Sequence, residues 1–455
     1  MPFPDDKEVG AMARALWVLM LLVVHATANA QTVWRALGVE TQVNGSGDVL
    51  DDAGSSLVLV STQIGKSGFS GSITSLDATA YRGRDMVISG LLQVERGAGN
   101  GAIWIRADQA GKPLNFQNTR DSPLIHQDGA QRREVRLYVP LSATRLVFGV
   151  TLDAVGSLNV ASLMLRDEVA STSAASAYDV LDAALSITGS KALNRAKVDW
   201  QAERAQLLTS DLKALPAQEA YPRIHIVLAK LGDRHSSLMT TSGVKQYRTD
   251  ARPTQELEAK VLGEIGYLRL PGLMGKGPAA GRAFSARVCR GLEDMAGEAS
   301  SGMILDLRQN PGGNMWPMMN GLFPLLGSGD IGAFRDADGD LMPWKDRIVA
   351  SCSDDMTAMP VAVLIGRGTV SSGEAVATAF KGRPGTRFFG KPSAGLSTGN
   401  RLFPLPDGSG LLLTSTVDVD RTGQAFPSGL TPDVLIDDGQ DAIAIASAWL
   451  RSIDR

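Results

Sequence analysis

Short segments that alternate between apolar and polar residues recur through the first third of the chain. Examples begin at Ser56, Asp85, Glu134 and Arg145, and turn-forming residues separate such segments roughly every eight to twelve positions. A period of two is typical of strands with one buried face. Many short strands without intervening helices predict a β-sandwich of the jelly-roll type over residues 31–168. Such a domain binds a sugar or a protein, or only stiffens the molecule.

Helical periodicity replaces this alternation over residues 169–245. Tyr178, Leu181 and Leu185 recur near the spacing of one helix face, and the run from Ala217 to Leu231 predicts a second helix. We therefore expect an all-helical segment that leads from the sandwich into the last part of the chain.

Strands and helices alternate over residues 246–455. Apolar strands are predicted from Glu264, Met303, Val361, Arg387 and Leu411, and helices over 285–298, 372–380 and 442–450. Continuous apolar strands between helices predict a largely parallel sheet covered on both faces. The chain is thus expected to be multidomain and to end in an α/β domain.

Composition narrows the class of protein. The 455 residues suggest about three domains. With 44% hydrophobic and 20% charged residues, the chain can bury a substantial core, which excludes a disordered protein. The net charge is −3 without a basic stripe, so no nucleic-acid partner is expected. Two cysteines, Cys289 and Cys352, are too few for a disulfide scaffold; they either pair or remain buried thiols.

The first 30 residues have the pattern of a secretory signal peptide. Arg14 precedes the apolar run 15–24, and Ala28-Asn29-Ala30 is a small-x-small cleavage pattern; translation from Met12 would remove the acidic leader. No later stretch reaches the roughly 18 apolar residues of a membrane-spanning helix. We expect an exported protein, periplasmic or extracellular, without a transmembrane segment in the mature chain.

One serine pair stands where a predicted strand passes into a predicted helix. A hydroxyl at Ser371 or Ser372 would lie at the positive end of that helix, beside backbone N–H groups that can hold an oxyanion. The alternative is structural, because Ser-x-x-Glu, here ending at Glu374, is also the capping box of ordinary helices.

Two further segments carry candidate chemistry. His235, in the polar loop Gly-Asp-Arg-His-Ser at 232–236, is able to take a proton from a serine, although a lone histidine is usually a plain loop residue. Gly312 and Gly313 end Asp-Leu-Arg-Gln-Asn-Pro-Gly-Gly after a buried strand, where they expose N–H donors or only form a turn. His126 is interpreted as a surface histidine beside Asp128.

Five motifs in this order resemble those of the S41 peptidase family. They are the loop at 232–236, the segment 306–313, Gly-Thr-Val-Ser-Ser-Gly-Glu at 368–374, Gly-Lys-Pro-Ser-Ala-Gly at 390–395 and Gly-Leu-Thr-Pro-Asp at 429–433. That family contains the C-terminal processing (tail-specific) and the tricorn-like serine proteases. The resemblance covers residues 174–440 and implies a crotonase-like α/β core that needs no metal and no cofactor.

The resemblance also implies roles for single residues. The nucleophile falls on Ser371, and the histidine of the tricorn-like branch falls on His235. The N–H of Ser372 corresponds to one oxyanion donor, and Gly312 or Gly313 would supply the other.

Three positions depart from the family pattern. Leu396 stands where the processing branch has its general-base lysine, so a Ser–His mechanism is the consistent choice. Phe426 stands where the tricorn-like branch has an orienting glutamate, which leaves Glu374, Asp418 and Asp420 as candidate carboxylates. Too few residues follow His235 for the PDZ module that usually precedes the core, so we expect the sandwich to govern access instead.

These observations lead to a prediction and two alternatives. We expect an exported serine peptidase that hydrolyses polypeptides through an acyl-enzyme. The alternatives are a non-catalytic peptide- or ligand-binding protein built on a peptidase core, favoured by the missing glutamate and the added sandwich, and an esterase using the same serine and histidine.

Overall fold

The computed structural model describes residues 32–65, 68–96, 99–120, 124, 126–168, 173–351, 354–437 and 439–453. The predicted signal peptide, with Arg14 and the Ala28–Ala30 cleavage pattern, lies outside these residues, and so does Cys352. Of the helices in the described part, none has the length and apolar character needed to cross a membrane.

Two five-stranded antiparallel sheets form the N-terminal part of the structure. Their strand orders are β1-β4-β9-β6-β7 and β2-β3-β10-β5-β8. The strands are β1 Arg35–Leu37, β2 Thr41–Ser46, β3 Ser55–Ser61, β4 Ser70–Asp77, β5 Asp85–Arg96, β6 Gly101–Gln109, β7 Lys112–Asn118, β8 Gln131–Tyr138, β9 Arg145–Leu152 and β10 Gly156–Glu168. Both sheets contribute alternate residues to one core, including Leu59, Ile88, Ile105 and Phe148, as expected for a sandwich.

Helices dominate the next segment, but they do not form an independent unit. They are α1 Ala177–Lys191, α2 Trp200–Leu207, α3 Tyr221–Lys230 and α4 Thr241–Thr249. The side chain of Ser176 caps α1 by accepting the N–H of Asp179, and the Asp179 carboxylate accepts the Ser176 N–H. Leu181, Leu185 and Ile224 pack with Leu411 and Leu413, which belong to a hairpin near the end of the chain. The predicted helical segment therefore shares its core with the last domain.

A six-stranded sheet organises the C-terminal domain. Its strands are β13 Glu258–Leu262, β14 Ile265–Arg269, β16 Gly302–Asp306, β19 Val361–Ile365, β20 Thr386–Gly390 and β23 Val434–Leu435, in that spatial order. All neighbours pair in parallel except β13 with β14. Helices cover both faces: α5 Pro278–Ala296, α6 Met315–Gly321, α7 Phe323–Leu326 and α8 Ser372–Phe380 on one side, and α9 Ala442–Arg451 on the other.

A second, smaller sheet joins the helical segment to this domain. It contains β11 Ser237–Met239, β17 Ala333–Asp336, β18 Leu341–Pro343, β21 Thr398–Pro404 and β22 Gly410–Val419, while β12 Ala251–Pro253 pairs with β15 Leu273–Gly275. Because β11 pairs with β22 directly after the loop that carries His235, that histidine is fixed to the C-terminal domain. In the same domain, Cys289 of α5 is disulfide-bonded.

Candidate active site

A large cleft of about 2130 Å³ opens between the sandwich, the helical segment and the α/β domain. Phe116 and Arg132 line it from the sandwich and His225 from α3, and Ser371 and His235 also line it. The sandwich is held against the helical segment by Glu219, whose Oε1 accepts hydrogen bonds from the Tyr138 hydroxyl at 2.9 Å and the Leu141 N–H at 2.7 Å. Part of the cleft lining therefore comes from the sandwich.

Ser371 stands at the entrance to α8 in a conformation that ordinary residues avoid. Its φ of 53° and ψ of −119° lie outside the regions that are favourable for a side chain with a Cβ atom. Its backbone N–H donates to Glu374 Oε2 at 3.1 Å, which is the contact that the capping box predicts. The Ser371 Oγ lies 3.0 Å from His235 Nε2, within hydrogen-bond distance.

His235 is positioned by a network of hydrogen bonds around its loop. Asp233 accepts the backbone N–H of His235 at 3.0 Å and that of Ser236 at 2.7 Å, and Asn400 Nδ2 donates to the His235 carbonyl at 2.9 Å. The ring Nδ1 lies 2.8 Å from Thr398 Oγ1. With Nε2 accepting the Ser371 hydroxyl, Nδ1 carries the proton and donates it to Thr398.

Burial lowers the pKa of His235 below its ordinary value of 6.5, and the smaller influence of Asp233 raises it. The imidazole is therefore neutral near pH 7, which is the form that accepts a proton from a hydroxyl.

The predicted oxyanion donors are backbone N–H groups, and not all of them are free to bind a substrate oxygen. The N–H of Gly312 donates to Asn310 Oδ1 at 2.9 Å, so this glycine is removed from the predicted pair. Gly313 lines the cleft beside Ser372, whose hydroxyl donates to the Gly313 carbonyl at 2.7 Å. Within the described part of the chain, the N–H groups of Ser372 and Gly313 donate to no protein acceptor. These two are the donors that a substrate oxygen can use.

None of the three candidate carboxylates contacts the His235 ring among the described residues, which corrects that prediction. Glu374 is fully buried and accepts Ser393 Oγ and the N–H groups of Gly395 and Leu396, so it fixes the loop after β20. Asp420 accepts the N–H groups of two residues in the turn 422–424. Asp418 approaches only Ser397, at 3.4 Å.

Asp418 is an acid in an unfavourable place for a charge. It is 1% exposed, and burial, followed by repulsion from Glu374, raises its pKa to about 8. The group is therefore protonated at neutral pH and cannot supply the negative charge expected of an orienting carboxylate.

Neither of the other two histidines in the described part of the chain forms a hydrogen bond with Ser371. His126 is exposed in a single helical turn, with Nδ1 2.8 Å from the Val94 carbonyl. His225 lines the cleft from α3, and burial lowers its pKa. Within the described residues, no group of three His, Cys, Asp or Glu side chains is able to hold a metal ion.

Thr398 is the residue that sequence reasoning missed. A threonine at the start of a strand is common, and 163 residues separate it from His235. Only the strand pairing of β21 and β22 brings it under the histidine. A search for any hydroxyl or amide acceptor, rather than carboxylates alone, would have included it.

Comparisons with known proteins identify similar sequences and structures. The model of peptidase family S41 matches residues 264–436. A nisin-resistance protein of Lactococcus lactis is 33% identical over 33% of this chain and 50% of its own, and a carboxy-terminal-processing protease of Bartonella bacilliformis is 28% identical over 41% and 42%. A lipoprotein of Streptococcus agalactiae has a similar structure, with a TM-score of 0.54 and 25% identity over 61% of this chain and 97% of its own.

The matched region contains the elements that carry Ser371 and the Gly313 turn, whereas His235 precedes it. The chain spans about half the length of the curated relatives it matches, or less. On these findings, residues 264–436 form a region that matches peptidase family S41.

Proposed function

We propose that the chain is an exported serine peptidase that cleaves peptide bonds in the cleft between the sandwich and the α/β domain. The observation that carries this proposal is the 3.0 Å approach of Ser371 Oγ to His235 Nε2 beside two unused N–H donors. Nucleophile, base and oxyanion donors within reach of one substrate carbonyl are the requirements of acyl transfer.

The reaction follows from these contacts. Ser371 Oγ attacks the peptide carbonyl carbon while His235 Nε2 takes the hydroxyl proton, and the N–H groups of Ser372 and Gly313 hold the oxygen as it becomes negative. The imidazolium then passes its proton to the leaving amine as the C–N bond breaks. Water attacks the acyl-enzyme with His235 again as base, and this step regenerates the serine.

Thr398 takes the place of the third residue in this scheme. As acceptor for Nδ1–H it fixes the tautomer and the ring plane, so it is a positioning residue. A neutral hydroxyl does not stabilise the imidazolium by charge, which agrees with the direction of the His235 pKa shift.

Peptide substrates are supported by the cleft and by the relatives. An open cleft of about 2130 Å³ accommodates an extended peptide segment rather than a folded protein. Export rests on Arg14, the apolar run and the Ala28–Ala30 pattern, and N-terminal sequencing of the protein recovered outside the cytoplasm tests it.

Cleavage of a mixed library of unfolded polypeptides, with nisin added because one relative is named for resistance to it, tests the function. Mass spectrometry would detect the cleavage products that are made by the protein from residue 32 onward and by its Ser371→Ala and His235→Ala variants. We expect each substitution to lower kcat by at least about 10³-fold with the fold intact, because the two groups act together. Turnover that survives in both variants would contradict the mechanism. Hydrolysis of esters but not peptides would favour the esterase.

A further inference from the structure

The cleft is basic although the chain is acidic. Among the described residues that line it, ten are arginine or lysine and six are aspartate or glutamate, whereas the whole chain has a net charge of −3. One of the six acids, Asp418, is protonated at neutral pH because burial raises its pKa to about 8. The cleft therefore favours anionic ligands.

Two of these cations stand beside the oxyanion turn. Lys276 Nζ lies 3.2 Å from Asn314 Oδ1, and Asn314 directly follows Gly313. The guanidinium of Arg347 lies 4.4 Å from the centre of the Trp316 ring, and Trp316 begins the first turn of α6 after the same turn. Both cations thus occupy the end of the cleft where a residue next to the scissile bond would lie.

Neither cation has an anionic partner in the part of the chain that the structure describes. The ion pairs found there include neither Lys276 nor Arg347. Burial, and then repulsion from Arg347, lowers the pKa of Lys276 to about 8. Two like charges close together are stabilised by one carboxylate between them.

The floor of this end of the cleft is apolar. Met274, Met315, Trp316 and Phe334 line it, and the Trp316 and Phe334 rings meet edge to face at 6.1 Å. An aliphatic stem would lie on this floor while its charged end reaches the two cations.

We propose that Lys276 and Arg347 form a subsite that binds a carboxylate of the peptide substrate beside the oxyanion turn. The carboxylate is an acidic side chain or the free C-terminus of the peptide. This assignment deepens the proposed peptidase function and rests on it for its meaning.

Binding to the Ser371→Ala protein tests the subsite without turnover. The probes are dye-labelled octapeptides of one sequence, Ala-Ala-Leu-X-Ala-Ala-Gly-Ala. In the first X is Gln with an amidated C-terminus; in the second X is Glu with the amide; in the third X is Gln with a free carboxylate. We expect the second or the third to bind about tenfold more tightly than the first, and the one that does identifies the source of the carboxylate.

Variants made in the same Ser371→Ala background locate the effect. Lys276→Met keeps the aliphatic stem and Arg347→Gln keeps hydrogen bonding, and each should reduce the tenfold ratio to about twofold or less. Arg132→Gln is the control, because Arg132 lines the cleft from the sandwich and donates to Ser89 Oγ at 3.2 Å. It should leave the ratio unchanged. Lys276→Glu should reverse the preference toward a peptide in which X is Lys.

Equal binding of all three peptides overturns the proposal, and so does a preference that persists in the Lys276→Met/Arg347→Gln double variant. The outcome is independent of catalysis. Cleavage without carboxylate preference by the protein with Ser371 intact would leave the peptidase standing and remove the subsite. Selective binding without any cleavage would support the subsite and contradict the proposed peptidase function.

Discussion

A hydroxyl lies beside the ring of His235, at the position where a carboxylate was expected. Thr398 Oγ1 accepts the proton of His235 Nδ1 at 2.8 Å but adds no charge. In the Ser-His-Asp triad, one aspartate both orients the histidine ring and stabilises its positive charge. Thr398 orients the ring of His235 but does not stabilise a positive charge on it. A single substitution can test orientation alone.

Thr398→Val removes the acceptor and keeps the shape of the side chain. We expect kcat/KM to fall about 10- to 100-fold, since the ring loses its orienting hydrogen bond. The acid limb of the pH profile lies below pH 6.5 in the wild type, because His235 must be neutral and its pKa is lowered. In the variant this limb should move to still lower pH, because the imidazolium loses an acceptor. Thr398→Ser is the control, and it should keep both the activity and the position of the acid limb of the wild type. If the acid limb of Thr398→Val lies at the same pH as in the wild type, the role of Thr398 is only structural.

Asp418 makes a second prediction, this time for stability. Its pKa is about 8 in the folded protein and 3.8 as the ordinary value, so the folded state binds the extra proton. The free energy of unfolding should therefore fall as pH rises from about 4 to about 8. Asp418→Asn removes this penalty. We expect the variant to gain roughly 1 to 3 kcal/mol over the wild type between pH 5 and pH 9, measured by urea unfolding. Parallel stability curves for the two proteins would contradict the assignment.

At the scale of elements, the first turn of α8 connects Ser371 to the loop that leads to Thr398. Glu374 accepts the Ser371 N–H and three donors of the loop that leads to Thr398. One buried carboxylate thus holds the nucleophile and the strand of the positioning residue in register.

Glu374→Gln should weaken the contacts of residue 374 with Ser371 and with the loop that leads to Thr398. An amide has one acceptor oxygen, so donors that face its NH₂ group lose their partner in a fully buried site. We expect a loss of roughly 2 to 4 kcal/mol in the free energy of unfolding, measured in urea. The exposed Glu298→Gln is the matched control and should stay within about 0.5 kcal/mol of the wild type. A loss of the same size in both variants would argue against this role of Glu374.

The elements differ in how far the sequence predicts them. Strands such as β3, β5, β8 and β9 were correctly predicted because a half-buried strand imposes a period of two. Helix α2 was missed, since its exposed face and short length leave a weak apolar repeat. The dependence of the helical segment on Leu411 and Leu413 could not be predicted, because that packing joins residues far apart in the chain.

The same limit applies to the site. The positions of Ser371, His235 and the Gly313 turn carry short motifs, and the structure brings them together. Gly312 and the three carboxylates were misjudged because their partners are determined by tertiary contacts: Asn310 occupies the Gly312 N–H, and burial protonates Asp418.

At the scale of the whole molecule, one carboxylate couples two domains. Glu219 accepts the Tyr138 hydroxyl and the Leu141 N–H, and Tyr138 is 2% exposed. This contact holds the sandwich, which supplies part of the cleft lining, against the helical segment. In the proposed peptidase, we therefore expect the sandwich to contact the substrate.

Glu219→Ala should weaken that contact without altering the chemistry. We expect KM for a library peptide to rise several-fold and kcat to stay within about twofold, because the catalytic groups lie outside this contact. Glu219→Gln keeps an acceptor oxygen for both donors and should behave like the wild type. Steady-state kinetics on the three proteins measures the difference; an unchanged KM in Glu219→Ala would remove the sandwich from substrate binding.

The separation of 136 positions between His235 and Ser371 in the chain has a further consequence. The proton acceptor is fixed through β11, the strand beneath it comes from β21, and the nucleophile comes from α8, so no contiguous stretch of the chain holds a working centre. In the proposed peptidase, a polypeptide still being synthesised, or one in transit in an unfolded state, has the residues of the site but not their arrangement. We therefore expect hydrolytic activity to arise only once the chain has folded.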